Sequence, residues 1–200
     1  MKRLFNFALV LAFLLSGVAT VFAYTEIGPE DAYDMLASED TYLLDVRTPS
    51  EWHWVGHPGQ DKCRNGDFLD GKVINIPFKL WAYDPNSKEY TEELNKFFDE
   101  EVARQFDPED TIILMCRSGS RSSSASEKLE DPTHSACKRL EDLGFCNIYN
   151  MVGGFEGGKD ECGYRTLDAG WKNKRLPYNY SNNGIWIPQQ KGRSLAGQTK

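Results

Sequence analysis

Residues 111–122 read Thr-Ile-Ile-Leu-Met-Cys-Arg-Ser-Gly-Ser-Arg-Ser. Three aliphatics and a methionine run without interruption into Cys116. An apolar run of that length describes a strand buried on both faces, as in the middle of a parallel sheet. Ser122, Ser123 and Ser124 then stand ahead of Ala125, and serine hydroxyls cap the free N–H groups of a helix start. Cys116 therefore falls on a tight strand-to-helix loop, among backbone N–H groups and beside Arg117 and Arg121. That is a setting in which a thiol is held as a thiolate. Cys116 is the candidate nucleophile, and the rest of the chain is read as its scaffold.

The scaffold alternates strand and helix. A short strand ends at Gly28, and Pro29 with Glu30 and Asp31 opens a helix to about Ala37. Residues 41–47 form a strand, buried in its middle and charged at its C-terminal end in Asp45 and Arg47. Thr48 to Trp52 is a turn or short helix, 56–59 a turn and 60–72 a polar surface loop. Residues 73–77 form a strand stopped by Pro77. Residues 78–88 read as an aromatic loop, in which Trp81 and Tyr83 are core or cover. Thr91, with acids behind it and Leu94 after, opens a helix to Phe106, with Leu94, Phe97, Phe98, Val102 and Phe106 inward. The helix after Ser122 is broken at Asp131-Pro132. A second runs from about His134 to Leu143 before Gly144, and 145–151 is another buried strand. Beyond Lys159 periodicity fades, and the segment reads as an aromatic-rich arm wrapped over the domain and fraying near 189–200. The pattern is an α/β fold with a mostly parallel sheet.

Targeting signals bound the chemistry. Met1-Lys2-Arg3, an apolar stretch from Leu4 to Val18 and Val21-Phe22-Ala23 have the layout of a cleaved secretory signal peptide over residues 1–23. The expected organisation is that signal, a domain over 24–157 and an extension over 158–200. Losing Lys2 and Arg3 takes the formal charge from −7 to −9. An acidic chain with no basic run makes nucleic acid a poor partner, and no further apolar stretch implies membrane insertion after cleavage. Export, most simply to the periplasm, places all five cysteines in an oxidising compartment. Up to two disulfides among Cys63, Cys137, Cys146 and Cys162 are expected, with Cys116 free and the pairing open. No Cys-x-x-Cys spacing occurs, and a metal site from His53, His57 and Cys63 has no diagnostic spacing.

Asp45-Val46-Arg47, Glu51-Trp52, Gly56-His57-Pro58-Gly59, Asn75-Ile76-Pro77, the loop from Cys116 to Ser122 and Val152-Gly153-Gly154-Phe155, in that order, resemble a single-domain rhodanese, a sulfurtransferase. The resemblance covers roughly residues 24–157. It implies a central parallel sheet with helices on both faces and an active loop between a strand and a helix. It also places Asp45 and Arg47 near that loop, as its supports. Three features depart from it: about a dozen residues between the Gly-His-Pro-Gly turn and Asn75, the Asp131-Pro132 break, and the tail from Lys159.

The loop residues suit sulfur transfer. Arg117 and Arg121 carry charge that does not titrate away and match an oxyanion's geometry. Gly119 permits close backbone approach. Ser118, Ser120 and Ser122 offer hydroxyls to a terminal sulfur. The resemblance implies a persulfide on Cys116, a small anionic donor such as thiosulfate, and cyanide, a thiol or a protein as acceptor. No organic cofactor is required, because the cysteine carries the sulfur. Related phosphatases and arsenate reductases carry Cys-x5-Arg, whereas Cys116 to Arg121 is Cys-x4-Arg. A phosphatase or arsenate reductase, a non-catalytic sulfur carrier or interaction module, and a redox sensor remain the alternatives.

Overall fold

The computed structural model describes residues 24–123, 135–165 and 169–188. The signal peptide expected over 1–23, the Asp131-Pro132 break, the helix expected to follow the Ser122–Ser124 row and the end of the tail lie outside them.

Strands β1 (Thr25–Ile27), β2 (Thr41–Asp45), β4 (Val73–Asn75), β7 (Thr111–Met115) and β8 (Asn147–Met151) build one sheet in the order β1-β8-β7-β2-β4. All four pairings are parallel, so both faces must be covered. Successive residues of a strand point to opposite faces. Ile112, Leu114 and Cys116 accordingly join a core with Leu44, Val46, Phe98, Val102 and Leu140. Ile113 and Met115 join the opposite core with Leu43, Ala32, Leu36 and Trp52. The apolar run before Cys116 is apolar throughout because it serves two cores.

Helices α1 (Pro29–Met35) and α2 (Pro49–Val55) cover one face, and α3 (Phe98–Gln105) and α4 (Ala136–Asp142) the other. Pro29 and the acids behind it start α1 as expected. Thr48 and Glu51 close a reciprocal capping box on α2. Ser135 caps α4, accepting from the Lys138 amide at 3.2 Å.

Residues 78–94 differ from expectation. They form an antiparallel hairpin of β5 (Lys79–Asp84) and β6 (Glu89–Leu94), and the helix begins only at Phe98. The Asp84 carboxylate accepts from the Asn86 amide at 2.9 Å and the Ser87 hydroxyl at 3.0 Å, which fixes the turn. Alternating side chains and the facing Tyr83–Tyr90 pair favour strands on both sides of it. Trp81, Tyr83 and Leu94 are consequently exposed rather than core.

A two-strand ladder pairs β3 (His57–Pro58) with β9 (Tyr178–Asn179) from the C-terminal segment. That segment supplies core. Trp171 is fully buried in the α1–α2 core, and Trp186 is buried in the other. It also seals an edge of the sheet, where the Asn75 amide donates to the Gly184 carbonyl at 2.9 Å.

The expected disulfides are not formed: all five cysteines are free. Cys137 is buried in α4 within the core that holds Cys116, while Cys63, Cys146 and Cys162 are exposed in three separate loops.

Candidate active site

Cys116 follows the last residue of β7, at the C-terminal end of the sheet, where open α/β folds bind ligands. Its sulfur lies at the centre of the loop it begins. The amide N–H groups of Gly119 and Arg121 donate to Sγ at 3.1 and 3.2 Å. Ser122 Oγ lies 3.5 Å from Sγ but 2.6 Å from Asn150 Oδ1. A hydroxyl has one proton, and the shorter contact is the better donor geometry. Ser122 is thereby held over the sulfur by Asn150, a residue with no motif around it.

The loop is pressed between glycines. Gly119 has φ +90, and a Cβ there would lie 3.0 Å from the Gly153 nitrogen. Gly154 has φ +56, and its Cβ would fall 2.3 Å from the Cys116 carbonyl oxygen. Only glycine suits both the dihedral and the space. The Phe155 amide donates to the Cys116 carbonyl and the Glu156 amide to the Arg117 carbonyl, each at 2.9 Å. Trp171 and Lys172 brace that segment from behind, their amides donating to the Gly154 and Phe155 carbonyls at 2.9 Å.

Both arginines of the loop meet carboxylates. Arg121 reaches Glu51 of α2 at 3.1 Å and Glu92 of β6 at 3.2 Å. Burial by itself would lower the Arg121 pKa, but Glu51 and Glu92 outweigh it and raise it. Burial would likewise raise the Glu51 pKa, yet Arg121 and the Thr48 donors hold it below its ordinary value. Arg117 lies at the surface, paired with Glu156. Ser118 and Ser120 face each other at 3.3 Å on the exposed side of the loop rather than the sulfur.

Asp45 and Arg47 form a fully buried pair, Arg47 Nη2 to Asp45 Oδ2 at 2.6 Å. The Arg47 guanidinium also donates to the Gly56 carbonyl at 2.8 Å and stacks 4.4 Å from the centre of the Phe155 ring. Phe155 in turn donates to the Cys116 carbonyl. Through this aromatic the pair is linked to the Cys116 backbone. His57 is turned to the Pro58 and Ser181 carbonyls, each at 2.9 Å, and His53 to Asn182. Neither faces Cys63 or the sulfur. Cys137 shares the Cys116 core, and burial, with the charges of Glu141 and Cys116, pushes its thiol well above the ordinary range. It is a packed hydrophobe rather than a second nucleophile.

Sequence reasoning brought together Cys116, Arg121 and Ser122 but not Glu51, Glu92, Glu156 or Asn150. Glu51 lies in the segment read only as a turn or short helix, and the capping box it closes with Thr48 is seen in the structure. The others reach the loop from strands and turns distant in the chain, and no spacing announces them.

The chain matches the model of the rhodanese-like domain over residues 28–161. It is 34% identical over 124 residues to thiosulfate sulfurtransferase 18 of Arabidopsis thaliana, covering 62% of this chain and 70% of that one. To the thiosulfate sulfurtransferase GlpE of Actinobacillus succinogenes it is 27% identical over 138 residues, 68% and 84% of the two chains. An uncharacterised protein of Rickettsia conorii is 30% identical over 150 residues, 74% of this chain and 92% of that one. The crystal structure of Rv0390 from M. tuberculosis superposes with a TM-score of 0.56 at 25% identity, covering 80% of this chain and 100% of that chain. With its five-stranded parallel sheet, its cysteine loop and a family match over most of its length, the chain belongs to the rhodanese family.

Proposed function

We propose that the chain is a sulfurtransferase that carries a sulfane sulfur as a persulfide on Cys116, taking it from thiosulfate or a related donor and passing it to cyanide or a thiol. The observation that carries this reading is the pair of backbone amides, of Gly119 and Arg121, that donate to Sγ inside a Cys-x4-Arg loop. In the first step the Cys116 thiolate attacks the outer sulfur of thiosulfate. A sulfur–sulfur bond forms to Sγ, the donor's own sulfur–sulfur bond breaks, and sulfite leaves with the electron pair. In the second, cyanide or a thiolate attacks the outer sulfur and Cys116 regains its thiolate. The amides that hold Sγ are fixed by the loop and need no reorganisation as charge returns to the sulfur. Arg121 supplies positive charge at the loop and is kept in place by Glu51 and Glu92.

The thiosulfate–cyanide assay on the wild type and on Cys116→Ala tests this. Thiocyanate formation by the wild type, one extra sulfur atom on Cys116 by intact-mass measurement and none in the variant are expected. Full activity in Cys116→Ala overturns the reading. Export belongs to the same proposal, supported by the basic and apolar layout of residues 1–23. Its check is the N-terminal sequence of protein recovered from outside the cytoplasm, expected to begin at Tyr24.

A further inference from the structure

Arg121 is held from two sides, and the two sides are unlike. Arg121 Nη1 donates to Glu51 Oε2 at 3.1 Å, and that oxygen also accepts from the Thr48 amide and hydroxyl, each at 2.9 Å. Glu51 is thus built into the start of α2. Arg121 Nη2 donates to Glu92 Oε1 at 3.2 Å, and among the described residues the Glu92 carboxylate has no other hydrogen bond. Glu92 projects from β6, which is exposed along its whole length, and its side chain is 31% exposed against 17% for Glu51. An ion pair on one partly exposed contact adds little net stability and parts easily. The loop is also charge-matched before any donor arrives. Arg117 and Arg121 meet Glu51, Glu92 and Glu156, three carboxylates against two guanidiniums. Arg121 is the arginine anchored at the reacting sulfur, because its own amide donates to Sγ at 3.2 Å.

We propose that Glu92 is a specificity-determining residue: it occupies the Nη2 edge of Arg121 that the oxyanion end of a sulfur donor needs, gives way when the donor binds, and sets the site against doubly charged donors. The inference rests on the sulfurtransferase reading above and concerns which donors that site accepts. Glu51 keeps Nη1 throughout, so Arg121 stays in place when Glu92 leaves. A sulfonate oxygen then takes the hydrogen that Glu92 gives up. The penalty scales with donor charge. A carboxylate beside the site repels a dianion about twice as strongly, in free energy, as a monoanion in the same place. Thiosulfate is the dianion. Methanethiosulfonate has the same sulfur–sulfur bond and a single charge. With either donor the Cys116 thiolate attacks the outer sulfur, a sulfur–sulfur bond forms to Sγ, and sulfite or the sulfinate leaves with the electron pair of the broken bond.

Glu92→Gln removes the charge and keeps the side chain's size and its carbonyl acceptor. Thiocyanate formation from each donor, with cyanide as acceptor, is measured in the wild type and the variant. The variant is expected to lower the thiosulfate KM about tenfold and the methanethiosulfonate KM about threefold, with each kcat within about twofold of the wild type. Both gains shrink with added salt. A residue that only braced the loop would raise KM or lower kcat on losing its charge. Unchanged KM values, a rise in KM, or equal gains for the two donors overturns the assignment. Absence of sulfur transfer from both donors in the wild type fails the underlying reading instead. Calorimetric titration of thiosulfate into Cys116→Ser protein, with and without Glu92→Gln, then still reads Glu92. A Kd about tenfold lower with glutamine is expected; equal or weaker binding, or no binding to either protein, overturns the assignment.

Discussion

A methyl group on Gly154 would stand 2.3 Å from the Cys116 carbonyl oxygen and 2.7 Å from the Ser118 nitrogen, on a backbone at φ +56. Both neighbours are backbone of the cysteine loop and neither is a flexible side-chain end. Gly154→Ala is therefore expected to cost roughly 1–3 kcal/mol and to lower sulfur transfer at least about tenfold, because relief comes only by moving the loop. Gly144→Ala is the control: φ is +93 but the space is open, so about 1 kcal/mol is lost and activity is kept. Urea midpoints and initial rates of the two variants check this, and equal rates would refute it. The buried Asp45–Arg47 pair carries a second expectation. Asp45→Ala leaves a buried guanidinium without its carboxylate and is expected to cost roughly 3–5 kcal/mol in the same denaturation experiment. Both residues were legible as charges at the end of a buried strand, where charges need partners. That the two pair with each other and meet Phe155 was not, because a ring stacked from another element leaves no mark on spacing.

Among the elements, β7 and the hairpin show what a pattern can and cannot carry. β7 was legible because two cores demand apolar residues on both of its faces. β5–β6 was not, because β6 is exposed along its whole length and no core imposes alternation on it. Thr91 and its acids resemble a helix cap in isolation, yet the ladder with β5 takes those backbone groups first. The β3 segment shows a third case, a short strand made by a partner more than a hundred residues away. His57 there stacks on Trp52 at 3.6 Å between ring centres. Burial pushes its imidazole below its ordinary value, against the carbonyls of Pro58 and Ser181 and the charge of Asp45, with Arg47 adding to the depression. The unfolded chain takes up a proton near pH 6.5 while the folded site resists it, so stability present above that pH is lost as pH falls through it. The thermal midpoint is expected to drop between pH 7.5 and 5.5, and His57→Gln to flatten that drop. Glu51, held below its ordinary range by Arg121 and Thr48 despite its burial, acts only further down the scale. Parallel slopes in the two proteins would refute the assignment.

At the scale of the molecule, the family match and the folding unit do not end at the same residue. The match closes at residue 161, but each core takes a tryptophan from beyond it. Trp171 fills the α1–α2 core, with Nε1 donating to the Pro177 carbonyl at 2.9 Å, and its own amide braces Gly154 under the cysteine loop. Trp186 enters the other core beside the edge strand β4, where Gly184 and Asn75 join backbone to backbone. Truncating a buried tryptophan alone typically costs about 3–5 kcal/mol, and whole domains hold only about 5–15 kcal/mol. A chain ending at residue 161 loses both side chains and uncovers one edge of the sheet, which leaves a free strand to pair with other molecules. It is expected to lack a cooperative unfolding transition and to aggregate, although it keeps every residue of the family motif. Trp171→Phe in the full chain keeps the backbone amide that braces Gly154 but leaves a cavity and loses the Pro177 contact, so a decrease of about 2–3 kcal/mol is expected with the loop intact. Circular dichroism with urea denaturation on the full chain, the truncation and the point variant decides it. A truncated protein that unfolds cooperatively at the full chain's midpoint would show that the tail lies on the fold without being part of it.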